Sequence, residues 1–406
     1  QIIPPNDEGI AECIERAEAA DIPRLELEAA RASNLLEEID VIRAEYVRRI
    51  ASELQSRDRA PIRIAYTALH GVAEETMREA FSEAGFDDVI SVQAQAVPDG
   101  RFPTVSFPNP EEPGAMEQVL ALADDRDADI AIAHDPDGDR VAVAARGEQG
   151  FAVLTGNEIG LVLAEDLLRS QRGSQPVVLS TIVSSPVLGA IAAANGARWE
   201  QTLTGHKWIQ NRALELTTEG YTYVFGYEEA LGYACSSIVR DKDGIGAGLH
   251  LADIAARAKA EGQSLLDRRD ALWKQHGVFL DRQVSIRFDG ESAKASMQAW
   301  VDRLRAAPPE RIAGRRVVTI RDLERQTVRE EGVESSDTTL SPSNVLIFTL
   351  EDGSQIMVRP SGTEPKLKYY FYVLEPIGAD GLAVAEAKAR STLEQMVDEL
   401  IANDGR

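Results

Sequence analysis

The stretch Asp129-Ile130-Ala131-Ile132-Ala133-His134-Asp135-Pro136-Asp137-Gly138-Asp139-Arg140-Val141-Ala142-Val143-Ala144-Ala145 decides how this chain is read. Residues 129–133 form an apolar run of strand length, and 141–145 form another. Between them stands a polar loop with carboxylates at alternate positions. A buried strand that opens into a polar loop is where α/β proteins place their sites. Pro136 fixes its own φ and removes an N–H donor, and Gly138 permits a turn that a Cβ would hinder. Asp135, Asp137 and Asp139 repel one another when close, and a hard divalent cation, most simply Mg²⁺, resolves that repulsion. An EF-hand does not fit: counted from Asp135, positions six and twelve hold Arg140 and Arg146 where Gly and a bidentate acid belong. A solvated Asp-rich turn is the other alternative. Three acids and an arginine directly after a buried strand favour metal, and Arg140 adds a phosphate-binding group beside it.

Working outward, the periodicity predicts helices over 8–20 and 35–54, a strand at 63–67, a helix over 72–84 capped at Gly85, and a strand at 89–92. A proline-rich connector (98–113) and a helix over 115–123 lead into the acidic loop. The pattern then repeats: helix 157–169, strand 177–182, helix 186–194, strand 198–203, a loop at Thr204-Gly205-His206-Lys207, a helix, strand 222–225, and a loop from Gly226 to Gly232. Helical material runs over 247–275. Beyond His276 the character changes to strands at 278–288, 316–320, 345–350, 355–358 and 368–373, with helices over 293–306 and 382–401. Residues 324–343 read as a surface loop or hairpin. The expected fold class is α/β, in consecutive βαβα domains, with a smaller C-terminal α+β domain. The expected divisions are 1–38, 39–150, 151–277 and 278–406.

The chain has 406 residues, 44% apolar and 27% charged, which is ordinary soluble globular composition. Its net charge of −24 argues against nucleic acid and anionic membrane as partners, and requires any phosphate site to be locally basic. Two distant cysteines, Cys13 and Cys235, suit a reducing, cytoplasmic setting. No run of about 20 apolar residues suggests a membrane span, and no signal peptide is read at the amino terminus. The chain opens Gln1-Ile2-Ile3-Pro4-Pro5, without Met, like the tail of a strand, and a missing preceding segment is expected.

Three other loops carry chemistry. Arg359-Pro360-Ser361-Gly362-Thr363-Glu364-Pro365-Lys366 offers a guanidinium, hydroxyls, backbone N–H groups and an ammonium; read alone, it suits a phosphate cradle and a surface Ser-Gly-Thr turn about equally. It is no P-loop. Gly226-Tyr227-Glu228-Glu229-Ala230-Leu231-Gly232 holds paired acids able to accept sugar hydroxyls, though exposed Glu pairs are usually solvated. His206 and Lys207 share a glycine-hinged loop suited to proton transfer or phosphate contact, although lone histidines are more often structural. Arg240 and Lys242 add positive charge nearby. The GxGxG at Gly244, Gly246 and Gly248 is no dinucleotide fingerprint, because a charged stretch precedes it.

Together, DPDGDR, GYEEALG and RPSGTEPK, in that order, resemble the signatures of the α-D-phosphohexomutase superfamily over essentially the whole chain. The pairing of GYEEALGY with RDKDG is similar to its phosphoglucomutase-2 and phosphopentomutase branch. The resemblance implies four domains around a cleft in a complete protein and an intramolecular phosphotransferase activity. The expected substrates are glucose or mannose phosphates, passing through a phosphoserine and a sugar bisphosphate. Phosphopentomutase, sugar-1,6-bisphosphate synthase and a non-catalytic phosphosugar-binding fragment are the alternatives. By the resemblance, Asp135, Asp137 and Asp139 ligate Mg²⁺, with Arg140, His206 and Lys207 catalytic. Glu228 binds sugar hydroxyls, and Gly205, Glu229, Arg240 and Lys242 are further expected substrate-binding residues. Arg359, Ser361, Gly362, Thr363 and Lys366 hold the phosphate that is not transferred. Two departures stand out. Ala230 replaces a common Ser, and no Thr-Ala-Ser-His-Asn-Pro loop exists: Thr67-Ala68-Leu69-His70-Gly71 resembles it superficially, with Leu69 where the Ser would be. The expectation is a fragment lacking most of the first domain, inactive by itself.

Overall fold

The computed structural model describes residues 2–18, 24–33, 36, 37, 39, 41–54, 58–147, 150–171, 173–290, 292–361 and 364–402. The chain divides into two compact units, residues 1–179 with 205–265, and residues 180–204 with 266–406.

The first unit opens with helices α1 (Asn6–Glu18), α2 (Leu27–Ala32) and α3 (Val41–Ser52). The helix expected over 35–54 therefore starts later. Leu36 and Ile39 are solvent-exposed, so their spacing has nothing to pack on, whereas Val47 and Ile50 are buried; Leu35 lies outside the described residues. Next come β1 (Ile64–Thr67), α4 (Ala73–Glu83), β2 (Val89–Ser91), α5 (Glu117–Asp125), β3 (Ile130–His134), β4 (Val141–Gly147) and β5 (Gly150–Val153). The sheet order is β2-β1-β3-β4-β5. β1 runs parallel to β2 and β3, while β3–β4 and β4–β5 are antiparallel. Ile64, Ala65, Tyr66, Ala131 and Ile132 are fully buried, so the near-continuous apolar runs are those of strands covered on both faces.

Helix α6 (Gly156–Ser170) starts with a capping box, Thr155 and Glu158, and leads to β6 (Pro176–Thr181). α7 (Val187–Ala194) and β7 (Arg198–Thr202) lie in the second unit. The first unit resumes with α8 (His206–Thr218), β8 (Thr222–Glu228), β9 (Gly232–Ala234) and α9 (Gly244–Ala260). Ile209, Ala213 and Leu216 of α8 pack on Val177 and Leu179 of β6. The loop expected from Gly226 is shorter than read: β8 runs to Glu228 and pairs antiparallel with β9, because Tyr227 and Tyr233 face each other in register and are fully buried. The helical stretch expected over 247–275 is two helices. α9 ends where the N–H of Gln263 turns back to the Ala258 carbonyl, and α10 (Leu265–His276) follows.

The second unit continues with β10 (Val278–Arg287), α11 (Ala293–Ala306), β11 (Arg311–Ile312), β12 (Arg315–Asp322), β13 (Thr327–Glu330), β14 (Val333–Ser336), β15 (Leu346–Leu350), β16 (Gln355–Pro360), β17 (Lys366–Glu375) and α12 (Leu382–Val397). The main sheet runs β10-β17-β16-β15-β12-β13-β14, all antiparallel, with β13–β14 the hairpin within 324–343. Met357, Tyr370 and Ile347 form its core with Ile182 and Val183. Among the described residues, no helix is long and apolar enough to cross a membrane.

Candidate metal centre

β3 carries the chain out of the first sheet at His134, and β4 takes it back at Val141. The six residues between curl tightly. The N–H of Gly138 donates to the Asp135 carbonyl at 3.0 Å, and Gly138 sits at φ +74°, a conformation that favours glycine. The N–H of Arg140 donates to Asp135 Oδ1 at 3.0 Å. One oxygen from each of Asp135, Asp137 and Asp139 falls within 4.8 Å of the others. Asp135 is only 5% exposed. Burial, together with the charges of Asp139 and Asp137, pushes its carboxyl up to about 7 despite the Arg140 amide.

Two cations partly offset this crowding. Lys242 Nζ lies 2.8 Å from Asp139 Oδ2, and Arg140 Nε lies 3.5 Å from Asp135 Oδ2 and 3.8 Å from Asp139 Oδ1. Asp139 Oδ1 is nevertheless buried with no hydrogen-bond partner. A buried, unpartnered carboxylate oxygen facing two other carboxylates is costly. A divalent cation supplies the missing partner, so the residues fit a metal ion.

The loop is braced by the backbone of three neighbours. The N–H of Val72, at the start of α4, donates to the Pro136 carbonyl at 2.8 Å. The N–H of Val141 donates to the Leu231 carbonyl at 3.2 Å, and Arg140 pairs with Gly232 across an isolated bridge, which docks the β8–β9 hairpin. At the start of α9, Gly244 approaches so closely that a Cβ there would stand 2.6 Å from the Gly138 carbonyl oxygen and 2.8 Å from that of Arg140. An open cavity of about 540 Å³ is lined by Asp135, Asp137 and Arg140 together with Phe102 and Phe107.

The other expected residues separate by unit. In the first, Glu228 Oε1 accepts the Gly205 N–H at 2.9 Å, and burial raises its carboxyl pKa. Glu228 Oε2 lies 3.9 Å from His206 Nδ1. His206 and Lys207 are not in a loop as expected. They form the first turn of α8, because Trp208 N–H bonds back to the Gly205 carbonyl and closes the turn. His206 is 2% exposed, its Nε2 is 3.0 Å from Gln210 Nε2, and burial lowers its pKa to about 3, so it is neutral at neutral pH. Lys207 Nζ lies 5.4 Å from the Trp208 ring centroid. Glu229 and Ala230 occupy the hairpin turn, half-buried, and Arg240 is exposed. Leu69 is fully buried at the end of β1.

In the second unit, Arg359 lies within β16, Ser361 follows it, and Lys366 begins β17. Ser361 N–H donates to the Lys366 carbonyl at 2.7 Å, and Lys366 Nζ lies 2.5 Å from Glu364 Oε2. Gly362 and Thr363 lie outside the described residues. Sequence reading missed Tyr46 and Asp243, whose hydroxyl and carboxylate oxygens are 2.5 Å apart; they are distant in sequence, and no local pattern joins them.

Residues 44–148 match the family model described as phosphoglucomutase/phosphomannomutase, alpha/beta/alpha domain II, and residues 155–276 match domain III. A probable phosphomannomutase of Haemophilus influenzae is 37% identical over 372 residues, covering 91% of this chain and 71% of that protein. A phosphopentomutase of Homo sapiens is 34% identical over 333 residues, covering 78% of this chain and 54% of that protein. The chain thus spans between 54% and 71% of the length of these relatives. It belongs to the phosphoglucomutase/phosphomannomutase family, within the α-D-phosphohexomutase superfamily. These relatives are phosphomutases, which are isomerases of the intramolecular phosphotransferase kind. A solved family member from Burkholderia thailandensis shares the fold, with a TM-score of 0.61 at 20% identity, covering 91% of this chain and 66% of that one.

Proposed function

We propose that the protein acts as a phosphosugar mutase. It would interconvert the 1- and 6-phosphates of glucose or mannose through a phosphoserine and a sugar bisphosphate. The observation that carries this reading is the acidic cluster with its unpartnered buried Asp139 oxygen, set beside Arg140 and Lys242 in a chain of this family. Asp135, Asp137 and Asp139 would hold Mg²⁺, which when bound neutralises charge developing on a transferring phosphoryl group. Arg140 would orient that group from beside the carboxylates. Glu228, fixed by the Gly205 amide, and Glu229 would accept sugar hydroxyls, with Arg240 and Lys207 supplying positive charge. Neutral His206 would orient Glu228 or hold a proton at a ring nitrogen. Arg359, Ser361, Gly362, Thr363 and Lys366 would bind a phosphate group in the second unit. Domain divisions at 39–150, 151–277 and 278–406 belong to the same reading, supported by the family matches at 44–148 and 155–276.

A second reading, phosphosugar binding without turnover by this chain, is favoured by one observation. The chain carries no Thr-Ala-Ser-His-Asn-Pro loop, and the superficially similar Thr67-Ala68-Leu69-His70-Gly71 lies within the residues matched to domain II and has Leu69, which accepts no phosphoryl group, in the serine's place. One experiment addresses both. The chain is given Mg²⁺ and glucose 1,6-bisphosphate, then titrated calorimetrically and assayed with glucose, mannose and ribose 1-phosphates. Metal-dependent binding of the bisphosphate without turnover is expected. Turnover would overturn the missing-nucleophile reading; absence of bisphosphate binding would overturn the phosphosugar reading. Ribose 1-phosphate competing better than the hexose phosphates would move the assignment to a phosphopentomutase.

A further inference from the structure

The segment Lys242-Asp243-Gly244 meets the acidic loop twice. Lys242 holds Asp139 Oδ2 at 2.8 Å, and Gly244 lies against the carbonyls of Gly138 and Arg140. Between them, Asp243 turns the other way. Its Oδ1 accepts the Gly246 N–H at 2.8 Å and so caps α9. The same oxygen accepts the Tyr46 hydroxyl at 2.5 Å, from α3, 197 positions earlier in the chain. The Asp243 N–H donates to the Tyr233 carbonyl of β9 at 2.7 Å. Asp243 is thus tied to two helices and a strand, and its neighbours on either side touch the metal loop. Burial and the Asp243 charge raise the Tyr46 hydroxyl far above the usual tyrosine range, so it remains a proton donor throughout the working pH range.

We propose that Tyr46 is a positioning residue for the metal centre, fixing Lys242 and Gly244 through Asp243 and so holding the Asp139 carboxylate in its ligating orientation. The proposal rests on the metal reading of the acidic loop. It extends that reading to a side chain that touches neither the ion nor any of its ligands. Partners one step behind a metal ligand orient it, and losing them weakens binding. The loss here should fall at the low end, because Tyr46 acts through one further residue.

The test uses the full chain and Mn²⁺ alone as the probe, with Asp135→Asn as the control for site binding. Tyr46→Phe removes only the hydroxyl. The expected result is a Kd for Mn²⁺ raised about three- to tenfold, with faster amide exchange at Gly138 and Arg140 in the metal-free protein. A lowered Tm with an unchanged Kd would make Tyr46 a purely structural contact and overturn the proposal. Wild-type binding that Asp135→Asn abolishes keeps the metal reading standing whatever Tyr46→Phe does; a wild type that binds no Mn²⁺ overturns both. Should Tyr46→Phe fail to fold, Asp243→Asn and Asp243→Ala replace it. Asn keeps an acceptor oxygen for Tyr46 and should bind Mn²⁺ as the wild type does, whereas Ala should weaken binding. Equal affinity of those two variants would overturn the proposal.

Discussion

The acidic loop at 134–140 and the basic loop at 359–366 are held in different ways. The acidic loop is gripped from outside, by the start of α4, the β8–β9 hairpin and the start of α9. Its charges are crowded, and one buried carboxylate oxygen, Asp139 Oδ1, lacks a hydrogen-bond partner. The basic loop is an extension of its own ladder: Arg359 pairs with Lys368 and Pro360 with Leu367 across β16 and β17. Its cation Lys366 is already answered by Glu364 from the same loop. One loop takes its shape from residues far away in the chain and keeps an unmet electrostatic need. The described residues of the other continue adjacent strands and meet part of its need internally. Damage should therefore spread from the first and stay local in the second.

The largest expected effect is on the ion. Asp139→Asn should weaken Mn²⁺ binding roughly 100-fold by calorimetry, while Arg359→Ala leaves that Kd within about twofold. Comparable losses from both changes would break the contrast. Next is stability. Gly244→Ala forces a Cβ against two backbone carbonyls that cannot yield as a side chain would, and should cost about 1–3 kcal/mol in urea unfolding. Third is a pH dependence in the acidic loop's surroundings. The folded pKa of His206, about 3, lies below its unfolded value, so protons bind the unfolded state preferentially as pH falls below about 6.5. Stability should therefore drop with acid, and His206→Gln should relieve up to roughly 1.4 kcal/mol of that loss per pH unit. A wild-type-minus-variant difference that stays flat between pH 7 and 5 would contradict the buried, neutral assignment. The smallest effect is Ser361→Ala, which should change stability by under about 0.5 kcal/mol.

Much of this was legible where a few adjacent residues carry the signal. The acidic loop declared itself through charge spacing and flanking strands, and α11 formed over the residues its periodicity marked. Reading failed where distant residues decide. Leu36 and Ile39 kept helical spacing but had no surface to cover. His206 resembled a loop residue because Gly205 precedes it, yet the turn closes into α8. β5 is too short and half-exposed to stand out. The glycines at 244, 246 and 248 showed only what they were not. The use of Gly244 appears once the start of α9 is seen packed against a loop about a hundred positions earlier.

The contact at Gly244 has a further consequence for how this protein can change. Backbone meets backbone there, so that one contact does not depend on the identity of the side chains that line the cavity. Residues proposed to face a substrate, such as Lys207 and Glu229, take no part in that contact. On the proposed reading, selectivity for the organic part of a ligand can drift while the inorganic part stays fixed, and the scaffold is intolerant of added bulk at Gly244 and at Gly71, where a Cβ would run into the Pro136 carbonyl oxygen.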